Sequence, residues 1–276
     1  MESTERKVTG WDFLMVDQET LRKAQLKMVE ILYAIDDICQ RHDIKYWLCY
    51  GTLLGAVRHK GFIPWDDDCD ICMMREDFEK FSQYVNELPE NLFLQTDKND
   101  PHYTRKIMKI RMKNTKLVEF DESENEKYHQ GIFVDIFIWD YYDSFSKSLL
   151  KNLSVVNSWK YKRKQYPKGH WKRAAIQVSV AVPFFVYNVV NKVMHAISVT
   201  FRKNDNLNYI GQEIRVSDNK YYDKNVIFPI KRDCVFEGKY FAVPNDPDAF
   251  LKDKYGDYMV LPKPEHRHWH AKRIEV

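Results

Sequence analysis

The stretch WDDDCDICM, residues 65–73, places four aspartates in five positions and runs straight into an apolar tail. No other part of the chain restricts the fold as much. The tail reads as a strand. On a strand, alternate residues share a face, so Asp68 and Asp70 point one way while Cys69 and Ile71 point to the core. Two carboxylates that close repel each other unless a cation sits between them. Hard oxygen donors of this kind suit Mg²⁺ or Mn²⁺. Asp66 has the same parity but lies nearer the preceding turn, and Asp67 reads as a surface residue. The competing reading is an acidic loop beside an ordinary strand, which leaves Ile63 and Trp65 unexplained.

A second carboxylate site supports the metal reading. Asp135 interrupts the apolar run GIFVDIFIW, 131–139. An ionised Asp inside a buried strand is costly unless it is paired or metal-bound. An Asp at a sheet end, bonded to backbone, is the alternative. Upstream, YGTLLGAVRHKG (50–61) passes from a strand through Gly51-Thr52 into a short helix. A helix N-terminus with a glycine offers free N–H groups to an anion, most often phosphate. Arg58 and Lys60 follow within reach of the same phosphates.

The remaining pattern is mixed α+β without regular βαβ alternation. A long helix is predicted over about 18–41, with Leu21, Ala24, Met28, Leu32, Ile35 and Cys39 on one stripe. YWLCY (46–50) reads as a strand and 76–88 as a helix. KIMKIRM and TKLVEF read as a hairpin around Lys113-Asn114. CVFEGKYFAV reads as a hairpin turning near Gly238. DPDAFLKDKYG is a punctuated helix, with Asp246 at the cap, Pro247 at its first position and Gly256 past its end.

Charge is distributed unevenly. The net charge is only +3, yet residues 144–203 hold 12 Lys and Arg with no Asp or Glu, so the remainder carries −9. A basic insert thus interrupts an acidic body. WKYKRKQYPKGHWKR (159–173) is polybasic and precedes an apolar segment broken by Gln177, Pro183, Asn188, Asn191 and Lys192. Such a pair suits an anionic membrane surface over about 159–200. A core helix or dimer contact is the alternative; nucleic acid, which also accepts interleaved aromatics, is the least favoured partner. The opening MESTERKVTGWDF lacks the apolar core of a signal peptide. No run of 18 apolar residues demands a spanning helix. Five scattered cysteines suggest a reducing compartment, and Cys69 and Cys72, three apart on a strand, face opposite ways and do not form a shared zinc site.

The order strand, Gly-Thr, short helix, D-x-D strand, later Asp strand resembles the nucleotidyltransferase fold. GTLLGAVRHKGFIPWDDDCDI is similar to the LicD family, which includes bacterial phosphocholine transferases and is related to fukutin and fukutin-related protein. YGDYMVLP with the later R-x-x-H (255–270) resembles that family's closing signature. The resemblance covers 20–140 and 225–270 and leaves the insert uncovered. It implies one catalytic domain over 1–276, interrupted at about 144–203. It implies transfer of a phospho-alcohol from CDP-choline, CDP-ribitol or CDP-glycerol to a hydroxyl of a cell-surface glycan, such as lipopolysaccharide or teichoic acid, or of its lipid-linked precursor, with release of CMP. By the same resemblance Asp68 and Asp70 hold the metal, with Asp66 in support. Asp135 completes the site as ligand or as general base, and Arg267 and His270 touch substrate. A cytoplasmic enzyme, peripheral on the inner membrane face, is implied. A choline head group calls for aromatic faces, for which Trp65, Trp139 and Tyr50 are candidates, with Tyr46 and Trp47 behind them. Three rival functions remain: a D-x-D glycosyltransferase, nucleotidyl transfer with pyrophosphate release, and a non-catalytic membrane-surface module on the same fold. The oligomeric state is left open.

Overall fold

The computed structural model describes residues 16–96, 98–103, 107–120, 122–142, 193, 207–212 and 221–276. The chain divides into two compact units, Met1–Phe137 with Ile227–Val276, and Ile138–Val226. The basic insert, apart from Val193, lies outside the described residues, as does the N-terminal segment through residue 15.

The first unit is built on helix α1 (Gln18–Arg41) and a five-stranded path of β-strands. Asp17 caps α1 by accepting from Thr20 N at 2.9 Å, and the expected stripe from Leu21 to Cys39 is buried. The strands are β1 (Tyr46–Leu48), β2 (Asp70–Met74), β3 (Leu92–Gln95), β4 (Met108–Met112) and, after β5 (Lys116–Glu119), β6 (Phe133–Tyr142). Their order is β1-β2-β6-β4-β3. β2 lies between β1 and β6, so the two aspartate-bearing segments of the sequence are neighbours in the sheet. Asp135 N donates to Cys69 O at 2.8 Å. Apolar side chains from β1, β2 and β6 are nearly all buried, which is why these strands read as continuous apolar runs.

Two expectations are corrected. The segments 106–112 and 115–120 do not pair with each other. β5 instead pairs antiparallel with the final strand, Leu117 facing Ile274, while β4 lies between β3 and β6. The backbone does turn at Asn114, at φ 60°. But Met112 N donates to Ile132 O and Lys113 N to Asn91 O, which draws the two segments apart. The helix expected over 76–88 stops early: α3 (Arg75–Phe81) is followed by a 3₁₀ turn, Val85–Glu87.

Towards the C-terminus, β9 (Lys231–Phe236) and β10 (Lys239–Val243) form the expected hairpin. Its two turn residues, Glu237 and Gly238, both have positive φ, as a type I′ turn requires. Helix α4 (Pro247–Tyr255) starts and ends where its punctuation placed it, with Asp246 accepting from Ala249 N at 2.9 Å. The last strand, β11, is Ala271–Glu275. The hairpin turn is tied down by Glu237. Its carboxylate pairs with Arg22 at 2.6 Å and accepts from Phe62 N at 3.0 Å.

The second unit contains the end of β6 from Ile138, with β7 (Tyr209–Gln212) and β8 (Tyr221–Asp223). Trp139 faces Gln212 across an antiparallel pair and stacks on Tyr222 at 5.7 Å. Among the described residues no helix is long and apolar enough to cross a membrane.

Candidate active site

The site begins where β1 turns into helix α2 (Tyr50–His59). The helix starts at Tyr50, one residue before the Gly-Thr pair. Thr52 Oγ1 accepts from Asp70 N at 2.7 Å, and Cys49 N donates to Asp70 O at 3.2 Å. The first turn of α2 is thereby joined to the first residue of β2. A Cβ on Gly51 would lie 2.7 Å from Asp66 Oδ2. This glycine lets the Asp66 carboxylate press against the start of the helix, the end whose dipole favours negative charge.

A cavity of ≈ 540 Å³ opens at this point. Asp66, Asp68 and Asp70 form one wall, and Tyr50, Gly51 and Arg58 from α2 form another. Lys254 and Tyr255 at the end of α4, and His266, Arg267, His268 and His270 from the C-terminal segment, complete it. The carboxylates alternate: 66, 68 and 70 face the cavity while Asp67 and Cys69 are buried behind.

This arrangement is electrostatically loaded. Burial, reinforced by the neighbouring carboxylates, pushes Asp66 and Asp70 well above the usual carboxylate range. Asp68 is pushed up to about 6, by burial first and by the charges of Asp67 and Asp135, against the pull of His270. His270 is raised to about 10 by its bond to Asp67, with burial opposing. Asp66 Oδ2 is buried with no hydrogen-bond partner. A cluster of oxygen donors that repel one another, one of them unsatisfied, fits a hard divalent cation such as Mg²⁺ or Mn²⁺. Asp67, Asp68 and His270 also bring ligand atoms within 4.8 Å of one another. Within that group Asp67 Oδ2 already accepts from two backbone N–H groups, so Asp68 is the carboxylate turned to the cavity.

The description "LicD/FKTN/FKRP, nucleotidyltransferase domain" belongs to a family whose sequence model matches residues 43–184. The lipopolysaccharide cholinephosphotransferase LicD of Haemophilus influenzae is 31% identical over 267 residues, covering 89% of this chain and 94% of that protein. The chain belongs to the LicD family. A shorter likeness, 45% over 40 residues, links it to the ribitol 5-phosphate transferase FKRP of Homo sapiens, covering 14% of this chain and 8% of that protein. An uncharacterized protein of Rickettsia prowazekii is 38% identical over 73 residues, 24% of this chain. The observed mixture of helices with a mixed sheet agrees with the α+β nucleotidyltransferase class of the LicD domain.

Of the residues singled out in the sequence, Tyr50, Gly51, Arg58, Trp65, Asp66, Asp68, Asp70, Arg267 and His270 converge on the cavity. Thr52 lies one layer back, holding Asp70. Asp135 stands outside the lining. Lys109 on β4 meets its carboxylate at 2.7 Å, and burial raises its pKa against that pairing. Its charge is still felt by Asp68 and Asp70. Lys60 is not brought to the cavity. It forms the left-handed cap of α2, at φ 61°, and its carbonyl accepts from Glu237 N. Trp139 belongs to the second unit and is buried there. The Trp65 ring is covered by the Arg267 guanidinium at 3.8 Å, so an arginine already occupies the face proposed for a choline.

Four residues escaped the sequence reading. Asp67 is buried, 1% exposed, and not a surface residue. Its partners are in the C-terminal segment, 203 positions away, so no local pattern reveals them. Lys254 and Tyr255 end a helix that could be recognised, but their direction could not. Lys109 left a trace: with Arg111 it breaks an otherwise apolar strand, and both side chains are buried.

Proposed function

We propose that this chain is a metal-dependent phosphotransferase. It moves a phospho-alcohol from a CDP-activated donor to a hydroxyl of a cell-surface glycan or its lipid-linked precursor and releases CMP. Phosphocholine is the first choice, because the relative matched over most of its length is named a lipopolysaccharide cholinephosphotransferase. Phosphoribitol and phosphoglycerol are the alternatives, the former favoured by the FKRP likeness. The observation that carries the reading is the cavity in which Asp66, Asp68 and Asp70 face Arg58, Lys254 and Arg267.

Phosphoryl transfer asks a protein for charge neutralisation and alignment more than for covalent help. In this reading Asp68 and Asp70 hold Mg²⁺ or Mn²⁺, with Asp66 in support. A bound divalent ion would neutralise the diphosphate and the leaving CMP. Arg58 and Lys254, both lowered in pKa by burial, bind donor phosphate oxygens from two sides. Arg267, braced on Trp65, adds a third contact. Thr52 keeps Asp70 in register. Asp135, gripped by Lys109, supplies negative charge from behind the cluster. In this reading the polybasic stretch 159–173 and the apolar residues after it support work at an anionic membrane surface, on the cytoplasmic side, where a lipid-linked acceptor would be met.

The test is CMP release from CDP-choline, CDP-ribitol and CDP-glycerol with Mg²⁺ or Mn²⁺, together with direct donor binding. An Asp68→Ala/Asp70→Ala variant is the control. Donor hydrolysis or metal-dependent CDP binding, lost in the control, is expected. If no CDP compound turns over or binds, and UDP or GDP is released from a sugar nucleotide instead, the glycosyltransferase reading replaces this one.

A further inference from the structure

Asp67 sits between two cavity aspartates yet contributes nothing to the cavity wall. Its side chain is engaged on the far side. Oδ2 accepts from the backbone N–H of His270 at 2.8 Å and from that of Ala271. Oδ1 lies 3.2 Å from His270 Nδ1. The same ring nitrogen is 3.3 Å from Asp68 Oδ2. His270 is therefore clasped by two successive carboxylates, one bound to the backbone of its own segment and one lining the cavity.

The segment held this way is the one that brings Arg267, His268 and His270 to the cavity before continuing into β11 on β5. Across the junction, Phe120 N donates to His270 O at 2.8 Å, so β5 holds the segment's carbonyl side while Asp67 holds its N–H side. Charge-assisted bonds from a buried carboxylate to main-chain N–H groups are among the stronger fastenings a loop can have.

We propose that Asp67 is a positioning residue. It fastens the C-terminal segment to the aspartate loop and thereby sets Arg267 and His270 at the cavity, while the metal and the substrate are left to its neighbours. The fastening goes beyond the phosphotransfer reading. Only the use of the fastened wall to hold a CDP donor rests on that reading.

The test compares the full chain with Asp67→Ala, Asp67→Asn, Ala271→Pro and Asp68→Ala. Amide hydrogen exchange, Mn²⁺ binding and CDP binding in Mn²⁺ are measured on each. In Asp67→Ala, exchange at His270 and Ala271 should accelerate about tenfold or more, with α1 unchanged. Asp67→Asn keeps an acceptor oxygen and should retain most of the protection. Ala271→Pro removes one donor without touching the aspartate and should loosen His270 by itself, so the proposal stays testable if Asp67→Ala fails to fold. Mn²⁺ affinity should stay within about threefold of wild type in Asp67→Ala and collapse in Asp68→Ala, while CDP binding in Asp67→Ala weakens about tenfold and recovers in Asp67→Asn. Unchanged exchange in both Asp67→Ala and Ala271→Pro would overturn the proposal. So would loss of Mn²⁺ in Asp67→Ala equal to that in Asp68→Ala, since Asp67 would then be a ligand. Failure of wild type to bind CDP would sink the phosphotransfer reading and leave the exchange result to decide the fastening.

Discussion

Gly51 and Gly55 lie one helical turn apart on α2, and an added methyl group should have opposite consequences at the two positions. At Gly51 the new Cβ would meet Asp66 Oδ2 at 2.7 Å; at Gly55 it would meet the backbone oxygen of Gly61 at 2.5 Å. A carboxylate can rotate away, whereas a backbone oxygen in a packed loop cannot. Replacing Gly by Ala in a helix contributes up to about 1 kcal/mol of stability. Overpacking costs about 1–3 kcal/mol. For Gly55→Ala the second effect prevails, and a net loss of about 1–2 kcal/mol is expected. For Gly51→Ala the two nearly cancel, because the displaced group is the end of a side chain. The strain reappears in the site: Asp66 is turned from its place beside Asp68, and divalent-ion affinity should fall by about 10–100-fold, the range seen when groups supporting ligands are disturbed. Urea unfolding and Mn²⁺ titration on the same samples separate the two. A Gly51→Ala protein that binds Mn²⁺ as wild type does, or that loses as much stability as Gly55→Ala, would show that the Asp66–Gly51 contact does not shape the site.

Lys109→Met should destabilise the fold by about 3–5 kcal/mol, since it strands Asp135 in a buried position. Adding Asp135→Asn should recover much of this loss in urea unfolding, and additive losses would contradict the pairing. Asp36 accepts from Tyr46 Oη at 2.6 Å and from Arg232 at 2.6 and 2.8 Å. Burial pushes its pKa up, but the bonds from Arg232, Tyr46 and Lys239 outweigh it and hold it below the ordinary carboxylate value. Its stabilisation is therefore present above the unfolded value and is lost as pH falls through the lower folded value. Asp36→Asn should trail wild type at pH 6 and approach it only in strong acid; a gap that narrows as pH rises from 5 to 8 would contradict the assignment. Arg267→Ala uncovers Trp65, so CDP binding should weaken by about tenfold. Quenching of Trp65 fluorescence by iodide should increase in that variant, and an unchanged quench would mean the stacking does not persist in solution.

Much of this architecture was legible because it is local. The stripe of α1, the punctuation of α4, the Glu237-Gly238 turn and the alternation of 66, 68 and 70 each depend on neighbours a few residues away. What could not be read depends on distant partners. The run TKLVEF reads as a strand but does not say that β11, rather than β4, lies beside it. The surface reading of Asp67 went against its parity with Cys69, because the partners that bury it belong to the C-terminal segment. Asp36, one of two adjacent aspartates in a long helix, gave no sign that Arg232 and Lys239 would bury it. Asp135 was correctly marked as out of place in an apolar strand, but its lysine partner belongs to a strand that the sequence read as a hairpin arm.

The bond between Asp67 and His270 spans 203 positions. During synthesis the aspartate loop leaves the ribosome long before the wall it faces, and until then its buried charges have no cavity to line. A nascent or truncated chain that stops before Lys254 carries every aspartate of the site and still lacks Lys254, Tyr255, Arg267 and His270, which line the cavity with them. The aspartates thus gain their facing wall only once residues 254–270 have been made.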